Sequence, residues 1–249
     1  MSNPTPSSNP VDVCITVDME PDCPPYLWTW RGMDEGAPRL LDLFAEEGIG
    51  ATCFTTGDSA RHAPHVVERI VGEGHELASH GMTHRPFPGL DRDDARREIE
   101  ESARVLREFS PIVSFRAPNL TFPAEYLGLL EDAGFELDSS QAKYKSARIS
   151  PDGPTRLTRI PASVTSSVLR LPPFIRDRWL SRLPGPVVLF CHPWEYVDWR
   201  KTNLRLDCRF RTGDPALDDM RAVIRLFKAR GARFRLMREF IPDRAAACV

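Results

Sequence analysis

Residues 76–87, ELASHGMTHRPF, decide how this 249-residue chain is read. The first four have the length and apolar weight of a short buried strand, and His80 follows at its end. Gly81 frees the backbone there, and Pro86 stops any helix from continuing. His80 and His84 therefore stand four residues apart on a turn or tight loop, a spacing at which two imidazoles can close on one metal ion.

Outward from this stretch the same arrangement recurs. Residues 11–17 (VDVCITV) predict a buried, β-branched strand running into Asp18, Glu20 and Asp22. Further strands are expected over 51–56, over 112–115 leading into Arg116, Ala117 and Pro118, over 135–137 followed by Asp138, over 187–191 (VVLFC) ending in His192, and over 233–236. Between them, helices are expected over 38–47, 65–71, 91–109 with Asp91 as N-cap, 122–133, 174–183 and 217–229. Residues 139–167 lose the alternation and read as an excursion covering the site, with short strands at 157–160 and 163–167. Strand followed by helix, repeated about seven times, predicts a parallel sheet. Closure of that sheet gives an α/β barrel, and an open doubly wound sheet is the alternative. In both, functional groups belong at the C-terminal ends of the strands, where Asp18, His80, Arg116, Asp138 and His192 all fall.

Apolar content of 41% is ordinary for a globular chain, and the formal charge of -2 comes without a block of like charges. Nothing in that balance suggests a nucleic-acid or acidic-membrane partner, so a small or uncharged substrate fits better. No run approaches the roughly 18 apolar residues of a membrane span, so no integral membrane segment is expected. The opening MSNPTPSSNP has neither a basic nor an apolar leader, which makes the cytoplasm the expected location. The six cysteines form no CxxC and read as reduced thiols. The expected organisation is a flexible tail over 1–10, one domain over 11–241 and a second tail over 242–249. No feature fixes an oligomeric state.

A catalytic site of the zinc type takes about three protein ligands and keeps one position open for water. His80 and His84 supply two, and a carboxylate should be the third. On an extended segment alternate residues share a side, so Asp18 and Glu20 both face the rim while Met19 packs inward. One of them would bind metal and the other take a proton from water; the residues alone leave open which is which. Arg116 either orients a carboxylate base or joins a surface ion pair, and His192 is either a packed histidine or a general acid. Trp28, Trp30, Trp194 and Trp199 fall in the loops after the first and last motifs, where an indole face stacks on a sugar ring or simply packs.

In this order, the segments Thr16-Val17-Asp18, His80-Gly-Met-Thr-His84, Phe115-Arg116-Ala117-Pro118, Asp138-Ser139-Ser140 and Leu189-Phe-Cys-His192-Pro193-Trp194-Glu195 resemble the polysaccharide deacetylase family with the NodB homology domain. The resemblance runs over residues 11–240. It implies a distorted (β/α)7 barrel of the NodB type and metal-dependent hydrolysis of an N-acyl group, N-acetyl above all, on an amino sugar or glycan. It puts Asp18 on the catalytic base, His80 and His84 on a divalent metal, zinc by its donor set, Arg116 on the residue that holds the base, and His192 on the acid. Asp138 falls where the family often has a carboxylate tuning that acid, although Ala142 stands where a tryptophan is usual. Asn119 would offer its backbone N–H to the oxyanion, with Pro118 and Trp194 beside the substrate. Where the family usually has adjacent aspartates, this chain has Asp18-Met19-Glu20, the DxE form of a subgroup. Glu20 is then the replacement ligand, with Asp22 as the fallback. Two rivals remain: an allantoinase-like or imidase-like hydrolase of another C–N bond, and a silent carbohydrate-binding barrel.

Overall fold

The structure, a computed structural model, describes residues 10–27, 29–148 and 150–242. The two expected tails therefore lie almost wholly outside the described residues, as do Trp28 and Cys248.

The chain begins with β1 (Asp12–Met19), which runs two residues further than its β-branched core predicts and carries Asp18 on the strand itself. A π-helical turn (Gly32–Gly36) leads into α1 (Ala37–Glu47), closed by Gly48 at a left-handed φ of 57°. Then follow β2 (Thr52–Thr55), α2 (Gly57–His62), α3 (Pro64–Gly72), β3 (Glu76–Ser79), α4 (Arg92–Leu106), β4 (Ser114–Phe115), α5 (Leu127–Asp132) and β5 (Leu137–Asp138). The second half holds β6 (Thr158–Arg159), α6 (Pro173–Leu180), β7 (Val187–Cys191), α7 (Leu206–Arg209), α8 (Asp214–Ala229) and β8 (Arg233–Phe234). Asp91 caps α4 as expected, its side chain accepting from the N–H of Asp94 at 2.7 Å. The short helix α2 is absent from the sequence reading, because Thr56-Gly57-Asp58-Ser59 reads as a turn; Thr56 in fact caps it by accepting from the N–H of Ser59.

Every ladder is parallel, in the order β6-β5-β4-β3-β2-β1-β7, with β8 pairing the start of β1. The curled sheet is a distorted (β/α)7 barrel. Its two ends meet at residue 163, whose N–H donates to Val188 O at 2.8 Å while its Oγ accepts from Val188 N at 3.0 Å. The strand expected over 163–167 is thus a single point of closure followed by a 3-10 turn, Ser166–Arg170. A serine that uses both its backbone and its hydroxyl leaves no ladder to extend.

Period-two alternation sorts the barrel side chains. Val13, Ile15, Val17 and Met19 face the core under the helices, whereas Cys14, Phe54, Ala78, Leu137, Ile160 and Val188 form a separate cluster inside the barrel. Below that cluster, buried Glu76 accepts from Thr52 Oγ1 (2.8 Å), Ser114 Oγ (2.6 Å) and the N–H of Arg238 (2.9 Å), closing the bottom with no unpaired carboxylate. Residues on the interior phase above it emerge at the opposite rim.

Candidate active site

Asp18 and Glu20 both line one cleft of ≈ 360 Å³, while Met19 between them is fully buried in the helix-facing core. Strand β3 delivers His80, and the loop after it turns back through Gly81 (φ 79°) and His84 (φ 63°) to bring the second imidazole beside the first. Three groups pin this loop. Helix α2 donates the N–H groups of Gly57 and Asp58 to the carbonyls of Gly81 and Met82. Buried Glu98 of α4 accepts from Met82 N (2.9 Å), Thr83 N (2.9 Å) and Thr83 Oγ1 (2.6 Å). Glu98 lies in a helix dense in charges, Arg92–Leu106, and nothing in the sequence sets it apart from its solvated neighbours.

The ligand atoms of Glu20, His80 and His84 lie within 4.8 Å of one another, and all three residues are buried. Glu20 Oε2 is 2.7 Å from His84 Nε2 and 3.4 Å from His80 Nε2, yet neither nitrogen has an aligned hydrogen bond. His80 Nδ1 sits 2.8 Å from Arg116 O, which keeps the proton on Nδ1 and turns the Nε2 lone pair toward Glu20. Two imidazole nitrogens that crowd a carboxylate oxygen without pairing with it are arranged as co-ligands. The set of two imidazoles and one carboxylate fits a divalent ion such as zinc. Asp22, the fallback ligand, is engaged elsewhere: it accepts from Thr29 Oγ1, Arg31 N and Gly32 N and anchors the turn before α1.

Arg116 is fully buried at the end of β4 with its guanidinium 4.1 Å above the Phe54 ring. Its fork is spread over several acceptors: Nη1 donates to Asp18 Oδ1 and Thr16 Oγ1, both at 2.7 Å, and Nη2 to Ser139 Oγ at 2.9 Å. Asp18 receives one bond from it, so Arg116 orients the carboxylate and is no surface ion-pair member.

His192 leaves β7 and stacks on Trp194 at 5.0 Å. Its Nδ1 is 2.7 Å from Glu195 Oε1, and Glu195, itself buried, faces Arg170 at 3.3 Å. The 3-10 turn Pro193–Tyr196 brings Glu195 back onto His192. Burial opposes protonation of His192, but Glu20, together with the bond to Glu195 and its charge, raises its pKa to about 9. Burial likewise acts to raise the Glu20 carboxyl, but His84 and His192 outweigh it and hold Glu20 well below the usual carboxylate range.

Asp138 is not the carboxylate beside His192. Leu137 belongs to the barrel interior and Ser139 reaches Arg116, so Asp138 between them points to the other face. There it pairs with Arg159 at 2.9 Å and accepts from Ser140. The missed partner, Glu195, had a local signal in its i, i+3 spacing from His192 across a proline. Asn119, left-handed at φ 58°, lines the cleft and is exposed, with Pro118 buried beneath it. Trp194 lines the cleft and also braces Glu20: its Nε1 donates to Glu20 Oε1 at 3.3 Å, and Trp199 Nε1 donates to the Trp194 carbonyl at 2.7 Å. Trp30 stacks on His62. Among the described residues, the aromatic rings exposed in the cleft wall are those of Tyr26 and Tyr144.

Comparison with known proteins adds an independent line. A family model described as polysaccharide deacetylase matches residues 7–137, which covers Asp18, Glu20, His80, His84 and Arg116 but stops short of His192. A chitooligosaccharide deacetylase of Sinorhizobium fredii is 38% identical over 79 residues, 32% of this chain and 37% of that protein. A peptidoglycan-N-acetylglucosamine deacetylase of Bacillus cereus is 28% identical over 102 residues, 41% and 33% of the two chains. The matched stretch thus spans about a third of the length of these curated relatives. Among solved structures, a family 4 carbohydrate esterase from Streptomyces lividans in complex with acetate superposes with a TM-score of 0.63 at 17% identity, covering 91% of this chain and 93% of that one. A family 4 pseudoenzyme from Bacillus anthracis does so with 0.65 at 16% identity, covering 94% and 66%. At such identities the likeness is one of fold, and a pseudoenzyme within it means that activity has to be argued from the site.

Proposed function

Because this chain belongs to the polysaccharide deacetylase family, we propose that it is a metal-dependent hydrolase that removes an N-acetyl group from an amino sugar or glycan. The observation that carries this reading is the convergence, around one cleft, of the Glu20–His80–His84 cluster with Asp18 and His192, each backed by its own partners. A divalent ion held by Glu20, His80 and His84, zinc by the donor set, would supply Lewis-acid polarisation of the acyl carbonyl and acidify a water molecule.

The chain's own groups divide the remaining work. Asp18, held by Arg116 and free of any part in the ligand cluster, accepts the proton of the attacking water. The backbone N–H of Asn119 is offered to the oxyanion. His192 donates a proton from Nε2 to the departing amine, while Glu195 keeps Nδ1 protonated and the ring oriented. Water adds to the carbonyl carbon, the C–N bond breaks, and acetate and a free amine leave.

Acetate release and free-amine formation from N-acetylated chitooligosaccharides, measured with zinc-loaded protein, test the reading. Release of both products in equal amounts is expected, and allantoin should be left intact. Turnover of allantoin with none of the acetylated sugar would move the activity to another C–N bond; binding of the sugar with no turnover in metal-loaded protein would make this a silent barrel.

A further inference from the structure

The overall charge balance hides a local asymmetry. Among the described residues, the large hydrophobic side chains that stand exposed are Tyr26, Tyr144, Phe174, Ile175, Trp179, Leu206 and Phe210. The two tyrosines line the cleft. The other five lie on α6 or on α7 and the residue after it; α7 lines the cleft, and α6 starts just after the cleft residue Arg170. Ser166, Ser167 and Arg170, just before α6, line the cleft wall, as do Asp207 and Cys208 of α7. Arg170 ties the two by donating to Phe210 O and Asp207 O, and Asp219 of α8 accepts from both Arg176 of α6 and Arg211 beyond α7. The exposed apolar side chains are thus carried by two segments joined through Arg170 and Asp219.

The same collar is basic. Arg178 and Arg182 on and after α6, Lys143 beside that segment and Lys145 in the cleft wall have no carboxylate partner among the described residues. The acids of α6 and α7 themselves are spent, Asp177 on Arg176 and Asp207 on Arg205. Lys143 donates to the carbonyls of Pro184 and Pro186, which places it at the end of the segment carrying Arg182.

We propose that this collar docks the protein on an anionic phospholipid surface, with the aromatic and aliphatic side chains of α6 and α7 entering the interface and the unpaired cations meeting lipid phosphates. Aromatic side chains of Trp and Phe type next to Arg and Lys are the composition that seats a short helix in a headgroup layer. A second copy of the chain fits less well. The five exposed side chains of α6 and α7 offer on the order of 500 Å², against about 800 Å² per partner in a standard interface, and a symmetric pairing would bring the unpaired arginines of α6 together. Combined with the deacetylase reading, on which this step rests, docking would present the cleft to an amino sugar tethered to the membrane.

Sedimentation with vesicles of phosphatidylcholine, with and without 30–40% phosphatidylglycerol, tests the docking apart from any activity. Binding at least about 10-fold stronger to the anionic vesicles is expected, weakened by salt. Phe174→Ser with Trp179→Ser, and separately Arg178→Glu with Arg182→Glu, should each lower that binding about 10-fold or more, while hydrolysis of a soluble chitooligosaccharide stays at the wild-type rate. Equal binding by wild type and both variants, or none by wild type, overturns the proposal. So does a dimer that the Phe174/Trp179 variant dissolves in protein that ignores vesicles, which would give the face to a second copy. Failure of hydrolysis in wild type with vesicle binding intact would instead count against the deacetylase reading.

Discussion

Replacing Glu195 by glutamine keeps its shape and removes its charge, and the structure assigns consequences to both of its neighbours. Arg170 is nearly as buried as Glu195 and faces it at 3.3 Å, so the substitution leaves a buried guanidinium with no charged partner, facing a neutral amide oxygen and the carbonyls of Asp207 and Phe210. Breaking a buried pair on one side costs about 3–5 kcal/mol, and the remaining carbonyls argue for the lower end. On the other side, His192 Nδ1 loses a charged acceptor at 2.7 Å. A glutamine amide can turn its NH2 toward Nδ1 and favour the wrong tautomer, so the expected fall in kcat is on the order of 10²–10⁴-fold. Glu195 is not part of the Glu20–His80–His84 cluster, so zinc content should stay at the wild-type value. Urea unfolding, metal analysis and acetate release on the same preparation separate the three effects. Wild-type kcat in folded, metal-replete Glu195→Gln protein would refute the role given to the His192–Glu195 pair.

Three further outcomes follow from the same geometry. Glu20→Gln should weaken metal binding by about 10–100-fold, whereas Asp18→Asn should keep the ion and lose turnover, by about 10²–10⁴-fold; the opposite pattern in paired metal titrations and rate measurements would exchange the two roles. Arg116→Lys should cut activity by roughly 10-fold or more, because one ammonium cannot serve Asp18, Thr16 and Ser139 together; unchanged activity would remove Arg116 from the mechanism. In metal-free protein, the pKa of His192 raised from 6.5 to about 9 makes its contribution to stability full below pH 6.5 and lost as pH rises through about 9, so the unfolding midpoint should fall across that window, and a flat profile in chelator would reject it.

The strands were legible because a parallel strand covered on both faces must be apolar along its length, and VDVCITV and VVLFC leave little else to read. The rim was legible for the same reason: a polar residue that ends such a run marks the mouth of the barrel. Phase was harder. Asp138 follows Phe135-Glu136-Leu137 at the end of an expected strand, as Asp18 follows its own, yet β5 is only two residues long and gives too little alternation to tell inside from outside. Glu98 and Glu195 were missed because a buried carboxylate and a solvated one look alike until their donors are known. For Glu98 those donors sit 15 and 16 residues away on another element.

The departure from adjacent aspartates also has a physical explanation. Strand β1 stays in register with β2 up to the pair Met19–Thr55, so its alternation still holds at the rim and the residue after Asp18 must face the helices. Met19 is fully buried in that core. An aspartate there would be an unpaired carboxylate among apolar side chains, costing several kcal/mol unless it took up a proton, and it would point away from His80 and His84. A ligand on the side of Asp18 has to come two residues later, which is Glu20, and its longer side chain spans the extra distance to both imidazoles. On this account Met19→Asp in a Glu20→Ala background should not restore the metal site, despite recreating adjacent aspartates. Recovery of stoichiometric zinc in that variant would mean that β1 can leave its register at Met19, and that the rim is set by the ligands and not by the sheet.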